Sequence, residues 1–119
     1  MKLRIDGNEI RLRLSPDDVA TLARTGTVEA RLRFAPDAEL RYRLEASDVS
    51  CIGARFGDDA VTVDVPRALV EGWSDDDRVG FEEAQPTGTG EPLRILIEKD
   101  FHCLHRDEPA GSRFPNPGA

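Results

Sequence analysis

The chain has 119 residues, 39% of them hydrophobic and 33% charged, a composition that suits one folded domain and excludes a disordered chain. No apolar run approaches the ~20 residues of a membrane span, and the alternating N-terminus MKLRIDGNEIRLRL has no signal-peptide core, so the expected location is the cytoplasm. The formal net charge is −7, with Lys/Arg and Asp/Glu balanced at nine each over residues 1–50 and standing at seven against fourteen over 51–119, and acids are interleaved among the arginines, which argues against a nucleic-acid partner.

Hydrophobic alternation with period two dominates the chain. Residues 2–6 place Leu3 and Ile5 on one face. The DGN turn at 6–8 is hairpin chemistry, because Gly and Asn tolerate positive φ. Residues 9–14 then point Ile10, Leu12 and Leu14 inward. Ser15 caps a helix, Pro16 fits its first turn, and Asp17 and Asp18 favour the positive end of its dipole. Val19, Leu22 and Ala23 form its apolar face, and Gly26 ends it. A strand over 27–34 is expected to bury Val28, Ala30, Leu32 and Phe34. After the APDA turn, a strand over 39–45 is expected to bury Leu40, Tyr42 and Leu44.

The second half follows the same plan. A strand over 50–56 aligns Ile52, Ala54 and Phe56, GDD makes a tight turn, and a strand over 60–65 buries Val61, Val63 and Val65. Pro66 opens a short helix carrying Leu69, Val70 and Trp73, with Trp73 as a core anchor. The acids of SDDD disfavour a helix C-terminus and read as loop. A strand over 78–83 turns Val79 and Phe81 inward. AQPTGTGEP is a loop, and a last strand over 92–101 closes the domain. The expected domain is 1–105, with 106–119 as an extended tail that folds back on Phe114.

The fold class expected is α+β: a compact, mostly antiparallel β-barrel or sandwich of seven or eight strands with two short helices. The segments IRLRLSPDDVATLARTGTV and VTVDVPRALVEGWSDDDRV align around Pro16 and Pro66, which suggests an internal ββαββ duplication of residues 2–46 and 50–101. A unit with one apolar face per strand needs its copy to bury that face. The strand–Pro–helix–strand unit resembles the swapped-hairpin unit of AbrB-like transcription factors, which implies two such units packed together, here within one chain. Across nearly the whole length, MKLRIDGNEIRLRLS, EKDFHCLHR and FPNP resemble a family of short bacterial proteins of unknown function. That resemblance implies no activity.

Chemistry concentrates in EKDFHCLHR. Period-two spacing puts Glu98, Asp100 and His102 in a row about 6.6 Å apart, with Cys103 and His105 beyond. Glu98, Asp100, His102 and His105 are oxygen and nitrogen donors of the kind a divalent metal takes, though in no recognised spacing. No other cofactor is indicated. Arg41 and Arg43, on the matching strand of the first half, are expected to pair with Glu98 and Asp100 across neighbouring strands. Lys99 falls on the apolar face with Ile95, Ile97 and Phe101, so it must snorkel or meet an acid. Cys51 and Cys103 are expected to be reduced thiols packed as small hydrophobes. No Gly-rich phosphate loop or nucleophile elbow is present. The leading functional expectation is a non-enzymatic interaction or regulatory module with a protein partner or as a homodimer. The alternative is a divalent-metal-dependent enzyme or ligand-binding domain centred on Glu98–His105.

Overall fold

The computed structural model describes residues 1–101. The elements run β1 (Lys2–Asp6), β2 (Glu9–Leu14), α1 (Pro16–Thr25), β3 (Thr27–Ala35), β4 (Ala38–Ser47), β5 (Gly53–Gly57), β6 (Ala60–Pro66), α2 (Arg67–Val70), a 3₁₀ turn at Trp73–Asp75, β7 (Gly80–Gln85) and β8 (Leu93–Lys99). Helix α1 begins as its sequence dictates. The Ser15 hydroxyl accepts from the Asp18 amide, the Asp18 carboxylate accepts from the Ser15 amide, and Gly26 ends the helix in the left-handed region at φ 84°.

The strands form two four-stranded sheets, ordered β1-β2-β8-β7 and β3-β4-β6-β5. Each hairpin is antiparallel, and the two hairpins of a sheet meet through a parallel central pair, β2 with β8 and β4 with β6. One rule generates both orders: the first hairpin of each half of the chain joins the last hairpin of the other half. Main-chain hydrogen bonds repeat with it. Arg94 N donates to Asn8 O at 3.0 Å, and Arg41 N donates to Asp59 O at 3.0 Å. At the other end Lys99 N donates to Val79 O at 2.9 Å, and Ala46 N donates to Gly26 O at 2.8 Å.

Both sheets and both helices feed one core. It holds Leu12, Leu14, Ile95 and Ile97 from the first sheet, Leu44, Val63 and Val65 from the second, Val19 and Leu22 from α1, Val70 from α2, and Trp73. The expected α+β content, seven or eight strands with two short helices, is present: the described residues form eight strands and two short helices. Among the described residues, neither sheet closes on itself.

Several expectations need correction. Leu32, Phe34, Phe56 and Val79 are exposed rather than buried, and so is Ala23. The reason for Leu32 and Phe34 is length. Pairing of β4 with β6 starts only at Arg41, opposite Ala60, so the tip of the β3–β4 hairpin projects past its neighbour and its inner face covers nothing. A register irregularity between Arg33 and Ala35 also takes Phe34 out of the ladder. Phe101 is exposed because β8 stops at Lys99. Asp100 N makes the last cross-strand bond, 2.8 Å to Leu14 O. Cys51 is a free thiol but exposed, not packed. The tail from 102, with Cys103 and Phe114, lies outside the described residues.

Candidate interaction surface

Of the EKDFHCLHR segment, the described residues run to Phe101, and Glu98, Lys99 and Asp100 meet different partners. Glu98 sits on the outer face of β8, where its neighbour in register is Arg13 of β2. Its carboxylate lies 3.2 Å from Arg11 Nε and 4.0 Å from Arg13 Nε. Asp100 leaves the sheet and pairs with Lys2 Nζ at 2.9 Å. Arg41 and Arg43 are not their partners, because β4 belongs to the other sheet. Arg41 donates to Asp58 O at 3.0 Å, and Arg43 faces Glu45 at 3.7 Å. His102, Cys103 and His105 lie outside the described residues. Among the described residues, no group of three or more His, Cys, Asp or Glu side chains is arranged to hold a metal ion.

Lys99 has a structural use. Its ammonium donates to Asp76 O at 2.7 Å, lies 3.9 Å from an Asp76 carboxylate oxygen and sits over the Trp73 ring, 5.6 Å from its centroid. Arg78 completes the same clamp. Its guanidinium binds the Asp76 carboxylate and donates to Leu69 O at 2.8 Å and Glu71 O at 2.9 Å. Trp73 Nε1 donates to Arg78 O at 2.8 Å. The SDDD loop is thus pinned to the core by two cations that sequence reading assigned no partners there.

Hydrogen bonds from Arg78 hold the Asp76 carboxyl below its ordinary value of 3.8, with Lys99 adding a smaller attraction. A carboxyl depressed in the folded state stabilises the fold above its ordinary value, and that contribution disappears as pH falls through the folded value. Asp76→Asn removes this linkage. Urea midpoints measured from neutral pH to below 3.8 should therefore fall less steeply for Asp76→Asn than for the parent chain.

The opposite end of the molecule, where the hairpins turn, carries the candidate surface. Ile5 is 66% exposed, Phe34 70% and Phe56 76%. Each immediately precedes an acidic turn: Ile5 before Asp6, Phe34 before the turn with Asp37, and Phe56 before Asp58 and Asp59. An apolar cleft of about 210 Å³ opens between the two sheets and is lined chiefly by Ile5, Ile10, Ala54, Phe56, Val61 and Leu93. Phe56 also borders a second depression with Phe34 and Leu40 on the projecting β3–β4 tip. The two depressions therefore form one apolar band with Phe56 at its centre.

The rim of this band is acidic. Asp6, Asp37, Asp58 and Asp59 are exposed, and among the described residues their carboxylates have no ion-pair partner. Three cations of these strands are engaged within the sheets. Arg55 holds Asp64 at 3.0 Å and Glu45 at 3.2 Å, Arg33 holds Glu39 at 2.9 Å, and Arg94 faces Glu9 at 3.8 Å. Asp58 and Asp59 adopt positive φ, 52° and 57°. Asp tolerates this region better than most residues, and the acids are placed where glycine would be the easier choice.

Sequence alternation missed this surface because it assigns Phe34 and Phe56 to the core face. They are on that face, but past the end of what the face covers. A readable signal was available in the repeated order of a large apolar residue, then a turn, then unpaired aspartates.

The chain belongs to DUF7009, a family of unknown function, whose sequence model covers residues 1–118. No curated protein and no solved structure gives a significant match.

Proposed function

We propose that this chain is a non-enzymatic cytoplasmic interaction module that binds a protein segment at the hairpin-tip end. The observation that carries the reading is the apolar band centred on Phe56. It contains aromatic side chains that the core does not use, set beside a cleft and an unpaired acidic rim. Exposed apolar patches of this kind mark interaction sites, and aromatic anchors supply most of the energy in such contacts. The occupant that fits is an extended segment with an aromatic or large aliphatic anchor next to an Arg or Lys: the anchor enters the cleft and the cation meets the aspartates. A second copy docking by the same face fits less well, because two acidic rims would repel each other.

The two halves of the chain are, on this reading, copies of one ββαββ unit related by a pseudo-twofold axis. The shared sheet order and the paired main-chain bonds support this. Duplication explains why the tips of β1–β2 and β5–β6 arrive at the same cleft.

The test is a calorimetric titration of the full chain with short peptides differing only around the anchor. An Arg-Phe peptide is expected to bind at least about tenfold more tightly than an Asp-Phe or Arg-Ser counterpart, a difference of about 1.4 kcal/mol. Equal or absent binding of all three would overturn the reading.

A further inference from the structure

We infer that the partner segment binds by strand addition: it pairs through its own main chain with the free edge of β5 at Phe56 while its anchor side chain enters the cleft. This deepens the binding chemistry proposed above and rests on it. Three observations lead to it.

The first is hydrogen-bond phase. Strands β5 and β6 are joined by a two-residue turn, Asp58 and Asp59, both at positive φ, and Gly57 stands opposite Ala60. In such a hairpin the residues closing the turn exchange main-chain bonds, and every second pair does so thereafter. Arg55 therefore bonds to Thr62, whereas the N–H and C=O of Ala54 and Phe56 point away from β6. The second is a resident substitute for a strand. Gln85 seats its side-chain amide on Ala54, accepting from Ala54 N at 2.6 Å and donating to Ala54 O at 3.0 Å. The next outward pair, at Phe56, meets no hydrogen-bond partner among the described residues. The third is the course of the cleft. Side chains alternate between faces along a strand, yet Ala54, Arg55 and Phe56 all line the cleft. It therefore runs along the edge of β5 and not under one face of it.

An exposed strand edge is a template for another chain, and strand addition takes its affinity from main-chain bonds and its selectivity from alternate side chains. Only the pair at Phe56 is open, so the paired stretch is short, and the anchor and cation supply the rest of the contact. The local chemistry suits this. Asp58 and Asp59 follow Gly57 directly, beside the position that a cation next to the paired residue would take. Ile5 holds the same place in β1, opposite Ile10 and one residue before the one that closes its turn. Strand β1 gives the cleft Ile5 without Arg4, so the cleft does not follow that edge.

The experiment uses the full chain, the Arg-Phe peptide, and a series of that peptide with a single N-methyl group at each amide in turn. Methylation of the one amide that donates to Phe56 O should weaken binding at least about tenfold. Methylation of the amides on either side, which point away from β5, should change it little. Amide hydrogen exchange read by NMR supplies the second measurement. The Phe56 amide should exchange fast in the free chain and slow at least about tenfold with the peptide bound, while the Ala54 amide stays protected by Gln85 throughout. If the peptide binds but no methyl position matters and Phe56 exchanges as in the free chain, the docking surface stands and strand addition fails. Slowing at Ile5 in place of Phe56 would move the added strand to β1 and overturn the assignment to β5. Slowing at Phe56 in the free chain that grows with protein concentration would mean that a second copy takes the edge, and would overturn a partner segment as its occupant. If the peptide does not bind, both levels of the account fail.

Discussion

Trp73→Ala is expected to lower the unfolding free energy by about 3–5 kcal/mol, the range for removing a large buried aromatic. Trp73 is fully buried in a 3₁₀ turn of three residues, so the local backbone contributes little order of its own. What holds the turn is the side chain. Its ring packs on Phe81 at 4.9 Å and carries the Lys99 ammonium, and its Nε1 donates to Arg78 O. The substitution leaves a cavity between α1 and β7, an unpaired Arg78 carbonyl, and a lysine that loses the ring beneath it. At about 4–8 °C per kcal/mol near this size, the melting temperature should fall by well over 10 °C. Trp73→Phe keeps most of the volume and should cost much less. Urea unfolding of the three proteins checks the order.

Gly80→Ala should also be costly, for a different reason. Gly80 stands directly opposite Glu98 in the β7–β8 ladder. A Cβ built there would overlap the Ile97 carbonyl oxygen and lie 2.9 Å from Glu98 Cα and 3.0 Å from the Ile97 carbonyl carbon. These are main-chain atoms of a core strand and cannot rotate away. The strand pair must separate at its end, where Lys99 N also bonds Val79 O. The expected loss is at least the 1–3 kcal/mol typical of overpacking. Gly57→Ala is the control. A Cβ at Gly57 would meet no atom within 4 Å, so the change should stay within about 0.5 kcal/mol. Similar midpoints for the two variants would show that β7 does not pack as closely on β8 as described.

The elements were legible because local chemistry and global fold agree over most of the chain. Ser15, Pro16 and Asp18 set the start of α1, Gly26 sets its end, and the alternation of Leu12, Leu14, Ile95 and Ile97 marks their burial. The parallel pairing of β2 with β8 was not legible. No local signal distinguishes it from another antiparallel partner, since the same inward residues would serve both. That pairing is what separates Glu98 from Arg41 and Arg43 and gives it Arg11 instead. Phe34 and Phe56 were misread for a related reason. Period two reports which face a side chain is on, but says nothing about where the opposing layer ends. The clamp on Asp76 by Lys99 and Arg78 depends on a loop returning to the core, and only the oddity of a lysine on an apolar face hinted at it.

The central claim is that the band around Phe56 exists for docking and not for folding. It is tested most directly by one NMR titration. The full chain is titrated with an Arg-Phe peptide, with and without Phe34→Ser and Phe56→Ser. Saturable shifts of the Ile5, Ile10 and Leu93 methyls are expected in the parent. They should be weakened at least about tenfold by the two serines, with the core methyls of Leu14, Leu44 and Ile97 unmoved in the free variant. Equal binding by the variant, or core methyls that collapse when the serines are introduced, would contradict the account.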